Sequence, residues 1–141
     1  MKILSEIEAN ENNKNNFLPG QDSNSQEAAR CLQDIGSSIL KAARDELYLG
    51  MRFLDVALSS FIYQMDGSVS PFGTDGNVMY FQPAQLGGLY RENRILVNRG
   101  YLHMVFHCIF QHFGKPGMEK RLWNLSCDIA VEHMIDGIYH R

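Results

Sequence analysis

The sequence predicts an α+β domain, with two helices, a small β-sheet or hairpin, and two further helices in chain order. Three observations predict it. Apolar residues recur at three- and four-residue steps on both sides of the segment 66–82, the period of helices with one buried face. The segment between them holds turn residues and short runs of aromatic and β-branched side chains, which suit strands. The chain has 141 residues, 45% of them hydrophobic and 21% charged, the size and balance of one globular domain able to bury a core.

Residues 1–25 hold six Asn and a Pro19-Gly20 pair. They read as a mobile leader with room for a short helix over 2–9, and the domain proper as 26–141. Ala28, Ala29, Leu32, Ile35, Ile39, Leu40 and Ala43 place an amphipathic helix over 26–46, with Gly36 as its weak point. Leu49, Phe53, Val56, Leu58 and Phe61 give a second helical pattern over 47–65, with Gly50 either separating the two helices or lying inside one bent helix. Asp66-Gly67 turns the chain, and 68–72 is strand-like. Thr74-Asp75-Gly76-Asn77 is the strongest turn signal, followed by a strand over 78–81. Pro83 ends that strand and can open a turn or two of helix over 84–90. A long apolar-rich helix follows over 93–113, stopped by Gly114-Lys115-Pro116-Gly117. Leu122, Leu125, Ile129, Met134 and Ile135 give the last helix, 119–137, its apolar side.

Composition excludes several functions. The chain has 13 Lys and Arg against 16 Asp and Glu, a net charge of −3, and no basic run. An electrostatically driven nucleic-acid partner is not expected. No run of 18 apolar residues spans a membrane, and the N-terminus lacks the apolar core of a secretory signal. Cys31, Cys108 and Cys127 are odd in number and unrelated in spacing, which points to a reducing, cytoplasmic setting over a disulfide framework.

Four of the five histidines lie between 103 and 133. His103 and His107 are four apart on a helix, so their imidazoles point within about 40° of one another and can reach one metal ion. HxxxH is the metal-binding half of the zinc-hydrolase motif HExxH, whose Glu moves protons to and from the metal-bound water. Here that position is Met104, and a thioether is no base. Asp128, 21 residues beyond His107 on the next helix, is the preferred third ligand. Glu132, one turn further, and His133 are reserves. His112 can ligate only if its helix breaks before it, and ranks lower. Cys108 and Cys127 are soft donors, though buried free thiols are the commoner use. Glu92, Glu119 and Glu132 are the carboxylates that can replace the missing base.

Plainer readings stand beside these. His103 and His107 are also what a core helix with two buried histidines would contain. His112 suits a helix C-terminus, Asp128 a solvated or capping carboxylate, and Thr74-Asp75-Gly76 simple turn chemistry.

The stretches TDGNVMYFQPAQL, LHMVFHCIFQHFG and LWNLSCDIAVEHMID together resemble the metallopeptidase domain found N-terminal to von Willebrand factor A-like domains in bacteria. Thr74, Asp75 and Gly76 match that family's hairpin, and Gln82-Pro83 its Asn-Pro. His103, His107 and His112 match its three histidines, and Trp123, Asn124 and Asp128 its following helix. The resemblance covers about 38–137 and departs at Met104. It implies a zincin-like fold with a Zn²⁺ site but without the standard catalytic Glu. The expected role is then protein or peptide binding, or regulation, beside a von Willebrand factor A-like domain and an associated ATPase. The strand over 78–81 would offer its edge to an extended peptide. If the chain binds metal, Met104→Glu is then the informative change, and a gain of protease activity would show that the site is otherwise intact. The family's A-like domain does not occur in these 141 residues, so the chain reads as a piece of a longer protein. An active hydrolase with a different base and a metal-free interaction module are the alternatives.

Overall fold

In a computed structural model, described for residues 22–113, 117 and 119–139, helices surround one long buried helix and a three-stranded sheet closes one side. The expected leader helix over 2–9 lies outside the described residues. Helix α1 spans Asp22–Gly50, so it begins four residues ahead of the expected start. Its buried stripe is Gly36, Leu40, Ala43 and Leu47, while Leu32 and Ile35 face outward. Gly36 is therefore a close contact and not a weak point: a Cβ there would lie 2.0 Å from Cε2 of Phe81.

The second helix expected over 47–65 does not form as one element. The chain leaves α1 at Gly50, makes a 3-10 turn over Arg52–Leu54 and a single helical turn, α2, over Asp55–Leu58, then enters strand β1, Ile62–Met65. Leu49, Phe53 and Val56 of the supposed apolar band are exposed, whereas Met51, Leu54, Leu58 and Phe61 are buried. Beyond Phe61 the burial alternates, exposed at Ile62 and Gln64 and half-buried at Tyr63 and Met65. That is the period of a strand, and the partner supplying its ladder is 16 residues away, at Ile62↔Val78.

Strand β2 is Phe72–Thr74, later than the run expected over 68–72. Pro71 has no N–H for a ladder bond, so pairing starts after it. Strand β3, Val78–Phe81, lies where expected. The sheet order is β1-β3-β2, with β1 parallel and β2 antiparallel to β3. The β2–β3 hairpin closes through the expected Thr74–Asn77 turn. Asp75 Oδ1 accepts from the amides of Asn77 and Val78 at 2.9 and 2.8 Å, and Gly76 supplies a φ of 105°.

Helix α3, Pro83–Glu92, is longer than the turn or two expected. Pro83 occupies its first turn and Gln82 caps it, accepting from the Gln85 amide at 2.6 Å. Helix α4, Arg94–Ile109, is capped by the Asn93 side chain. Every residue from Gly100 to His107 is buried, which makes α4 the central helix. It packs on α1, α2, α3 and α5. Helix α5, Lys120–Tyr139, lies along it and buries Cys127, Val131 and Ile135. Among the described residues no helix is long and apolar enough to cross a membrane.

Helix α4 stops four residues before the expected end. Gln111 takes a φ of 54°, its amide bonds the Cys108 carbonyl at 3.2 Å, and the His112 amide bonds the His107 carbonyl at 3.0 Å. This is a Schellman turn with glutamine in the left-handed position usually held by glycine. The Gly114 signal was therefore misleading, because the stop occurs at a residue with no glycine to announce it.

Candidate metal centre

The centre is built from two helix faces with matching spacing. On α4, Arg99, His103 and His107 stand one turn apart. On α5, Asp128, Glu132 and Asp136 do the same. Side by side, the two rows interdigitate. His107 Nε2 lies 3.0 Å from Asp128 Oδ1. His103 Nε2 lies 3.3 Å from the same oxygen, and the two Nε2 atoms are 2.8 Å apart. On its other side, His103 Nδ1 meets Glu132 Oε1 at 2.6 Å. Arg99 then bonds Glu132 Oε2 through Nε at 3.1 Å and Nη2 at 2.5 Å, and reaches Asp136 Oδ1 at 2.5 Å.

His103 and His107 are buried, at 3% and 0% exposure, and Asp128 is half-buried. Desolvation works against the Asp128 carboxylate, but hydrogen bonds from both imidazoles outweigh it and hold the group far below the usual carboxylate range. Desolvation likewise opposes Glu132, and its bonds from Arg99 and His103 lower it below its ordinary value. Both acids are anions at neutral pH. An ionised carboxylate only accepts, so the Glu132 contact calls for a proton on His103 Nδ1, and Nε2 is the nitrogen that would ligate a metal ion in place of its hydrogen bond to Asp128.

His103, His107 and Asp128 each offer one ligand atom to a common point and can hold a metal ion. A tetrahedral ion with bonds of about 2.0–2.1 Å spaces its ligand atoms roughly 3.3 Å apart. The three separations here, 2.8, 3.0 and 3.3 Å, approach that value. Two imidazoles and one carboxylate are a donor set that Zn²⁺ accepts.

The other candidates fall elsewhere. Glu132 lies behind His103, at its Nδ1, and not with the converging atoms. His112 comes back against His107 through the Schellman turn, Nδ1 to Nδ1 at 3.2 Å. It packs edge-on against Trp123 with ring centroids 6.0 Å apart. Burial, and then the neighbouring His107, lowers the pKa of His112. His133 is exposed and lines a surface groove with Met51, Phe53 and Met134. Burial pushes the Cys108 thiol up to about 11 and raises that of Cys127, which makes both poor thiolate donors. Glu92 and Glu119 are exposed. Met104 is 1% exposed and belongs to the hydrophobic core. Arg99 and Asp136 were not anticipated, although their four-residue spacing from His103 and Glu132 was the available signal.

The edge of β3 is not open to a peptide: it is the central strand, paired on both sides. The outer edge of β1 is also engaged. Gln33 of α1 donates to the Tyr63 carbonyl at 2.9 Å and accepts from the Met65 amide at 2.7 Å, as a neighbouring strand would.

Fold and centre thus define an α+β protein with a His-His-Asp group fit for a metal ion. Comparison with protein-family models, curated proteins and solved structures returns no match.

Proposed function

We propose that this chain is a zincin-like, metallopeptidase-related domain that binds a divalent metal, Zn²⁺ by its donor chemistry, through His103, His107 and Asp128. Its role in this reading is protein or peptide binding or regulation, with turnover weak or absent. The observation that carries the reading is the approach of three ligand atoms within 3.3 Å of one another. When bound, such an ion polarises carbonyls and acidifies its water.

The chain's own residues restrict the chemistry open to such a centre. Met104 stands at the general-base position and is part of the core. Glu132 has both oxygens engaged, by His103 and Arg99, so it is not free to take a proton from a nucleophile. Protein binding is supported by the outward face of α5, where Leu122, Leu125 and Ile129 are each more than half exposed at three- and four-residue steps. A von Willebrand factor A-like domain and its ATPase are the partner classes that the resemblance suggests. The three free cysteines fit a cytoplasmic setting.

A metal-free reading rests on one distance. At 2.8 Å the two Nε2 atoms can share a proton, and the histidines would then be structural. Elemental analysis of wild type, His103→Ala and Asp128→Ala separates the two. Near-stoichiometric metal in wild type and little in the variants supports the metal site. Three equally empty proteins after incubation with Zn²⁺ overturn it in favour of the metal-free module.

A further inference from the structure

We propose that Glu132, held by Arg99, is a positioning residue that locks the orientation and tautomer of His103 and thereby sets the metal affinity of the centre. The inference rests on the metal-binding reading above and adds two residues to it.

An imidazole ligates well only if the ligating nitrogen is bare and the ring is aimed at the ion. Both conditions are set by what the other nitrogen does. For His103 that nitrogen is Nδ1, and it lies 2.6 Å from Glu132 Oε1. The second oxygen of Glu132 is taken by Arg99, through Nε at 3.1 Å and Nη2 at 2.5 Å. Arginine has only donors and stays charged, so it holds the carboxylate as an acceptor for His103 Nδ1–H. The unit spans both helices: Arg99 and His103 belong to α4 and Glu132 to α5. Asp136, the other Arg99 partner at 2.5 Å, ties the same helices without touching His103.

That difference provides the control. A tie between helices predicts that losing either acid has the same effect. Positioning of His103 predicts that only Glu132 matters to the metal. The experiment measures Zn²⁺ dissociation constants by chelator competition on the full chain, for wild type, Glu132→Ala, Glu132→Gln and Asp136→Ala. The tautomer of His103 is read in parallel by nitrogen-15 NMR of the zinc-loaded proteins.

Glu132→Ala should weaken Zn²⁺ about 10–100-fold, the usual cost of losing an outer partner of a metal-bound histidine. Glu132→Gln should lose less, since its amide oxygen still accepts from Nδ1–H. Asp136→Ala should stay within about twofold, as expected for an exposed ion pair. Wild type should carry the His103 proton on Nδ1. Equal losses in Glu132→Ala and Asp136→Ala, or unchanged affinity in Glu132→Ala with wild type binding normally, would overturn the positioning role alone. A wild type that takes up no Zn²⁺ overturns this role and the metal reading together.

Discussion

His103 and His107 face each other through their Nε2 atoms, 2.8 Å apart, inside the protein. Two lone pairs left bare at that distance would repel, and Asp128 adds a third electron-rich atom. A positive charge among them, a proton or a metal ion, would relieve that repulsion.

If the positive charge is a metal ion, the folded state binds it and the unfolded chain does not. Added Zn²⁺ should then raise the melting temperature, with about 2.7 kcal/mol of stabilisation at a free concentration of 100 Kd. Asp128→Asn removes an anionic ligand and should weaken Zn²⁺ by more than the 10–100-fold of an outer partner. Calorimetric melts with and without Zn²⁺ and chelator check both. A zinc-independent melting temperature in wild type contradicts the prediction.

Met104→Glu should not create a peptidase. The side chain it replaces is buried in the hydrophobic core, and an unpaired carboxylate there costs several kcal/mol. Met104→Leu, which nearly conserves volume, should cost under about 1.5 kcal/mol. Urea unfolding of the two variants tests the contrast. A folded Met104→Glu protein that cleaves peptides would show that this position reaches the centre after all.

Gly36→Ala improves helix propensity by up to about 1 kcal/mol, yet it should lower stability. Its new Cβ would fall 2.0 Å from a ring carbon of Phe81, and overpacking of this kind costs roughly 1–3 kcal/mol. A higher urea midpoint for the alanine variant would refute the close packing of β3 on α1.

Gln111→Gly should have the opposite effect. Position 111 is exposed and left-handed at φ 54°, a conformation that costs a residue with a Cβ about 1–2 kcal/mol. Glycine relieves that strain, less the extra freedom it gives the unfolded chain. The expected result is a gain of up to about 1 kcal/mol in denaturant unfolding, with Zn²⁺ affinity unchanged. Destabilisation by this substitution would count against the Schellman turn.

Asp75 gives a pH dependence. Desolvation opposes its ionisation, but bonds from the Val78 and Asn77 amides and from the Tyr80 hydroxyl win, and its folded pKa lies below the ordinary value. A depressed folded pKa means that its contribution is present above the unfolded pKa, near 3.9. It is lost as pH falls through the lower folded value. The stability gap between wild type and Asp75→Asn should therefore be open at neutral pH and close under acid. A gap independent of pH would show that the turn does not depend on the charge.

The α+β class, the 74–77 turn, the 78–81 strand and the two last helices were legible in the sequence. Each rests on local chemistry: periodicity, capping residues, or turn residues with their own backbone bonds. HxxxH was legible for the same reason, since one helix turn brings the two histidines together whatever surrounds them. The segment 47–65 was not. Its apolar spacing fits a helix up to Leu58, while residues 62–65 become a strand because β3, distant in sequence, offers a parallel ladder. The end of α4 was hidden because glutamine, not glycine, turns the chain.

By itself, the sequence determined which side chains share a helix face: Arg99, His103 and His107 on one, Asp128, Glu132 and Asp136 on the other. Only the tertiary structure decided how the faces engage. The packing of α5 against α4 puts Asp128 at both Nε2 atoms, Glu132 at the back of His103, and Met104 in the core. Helical spacing is a property of four consecutive peptide units, whereas the register between two helices is set by the side chains packed between them.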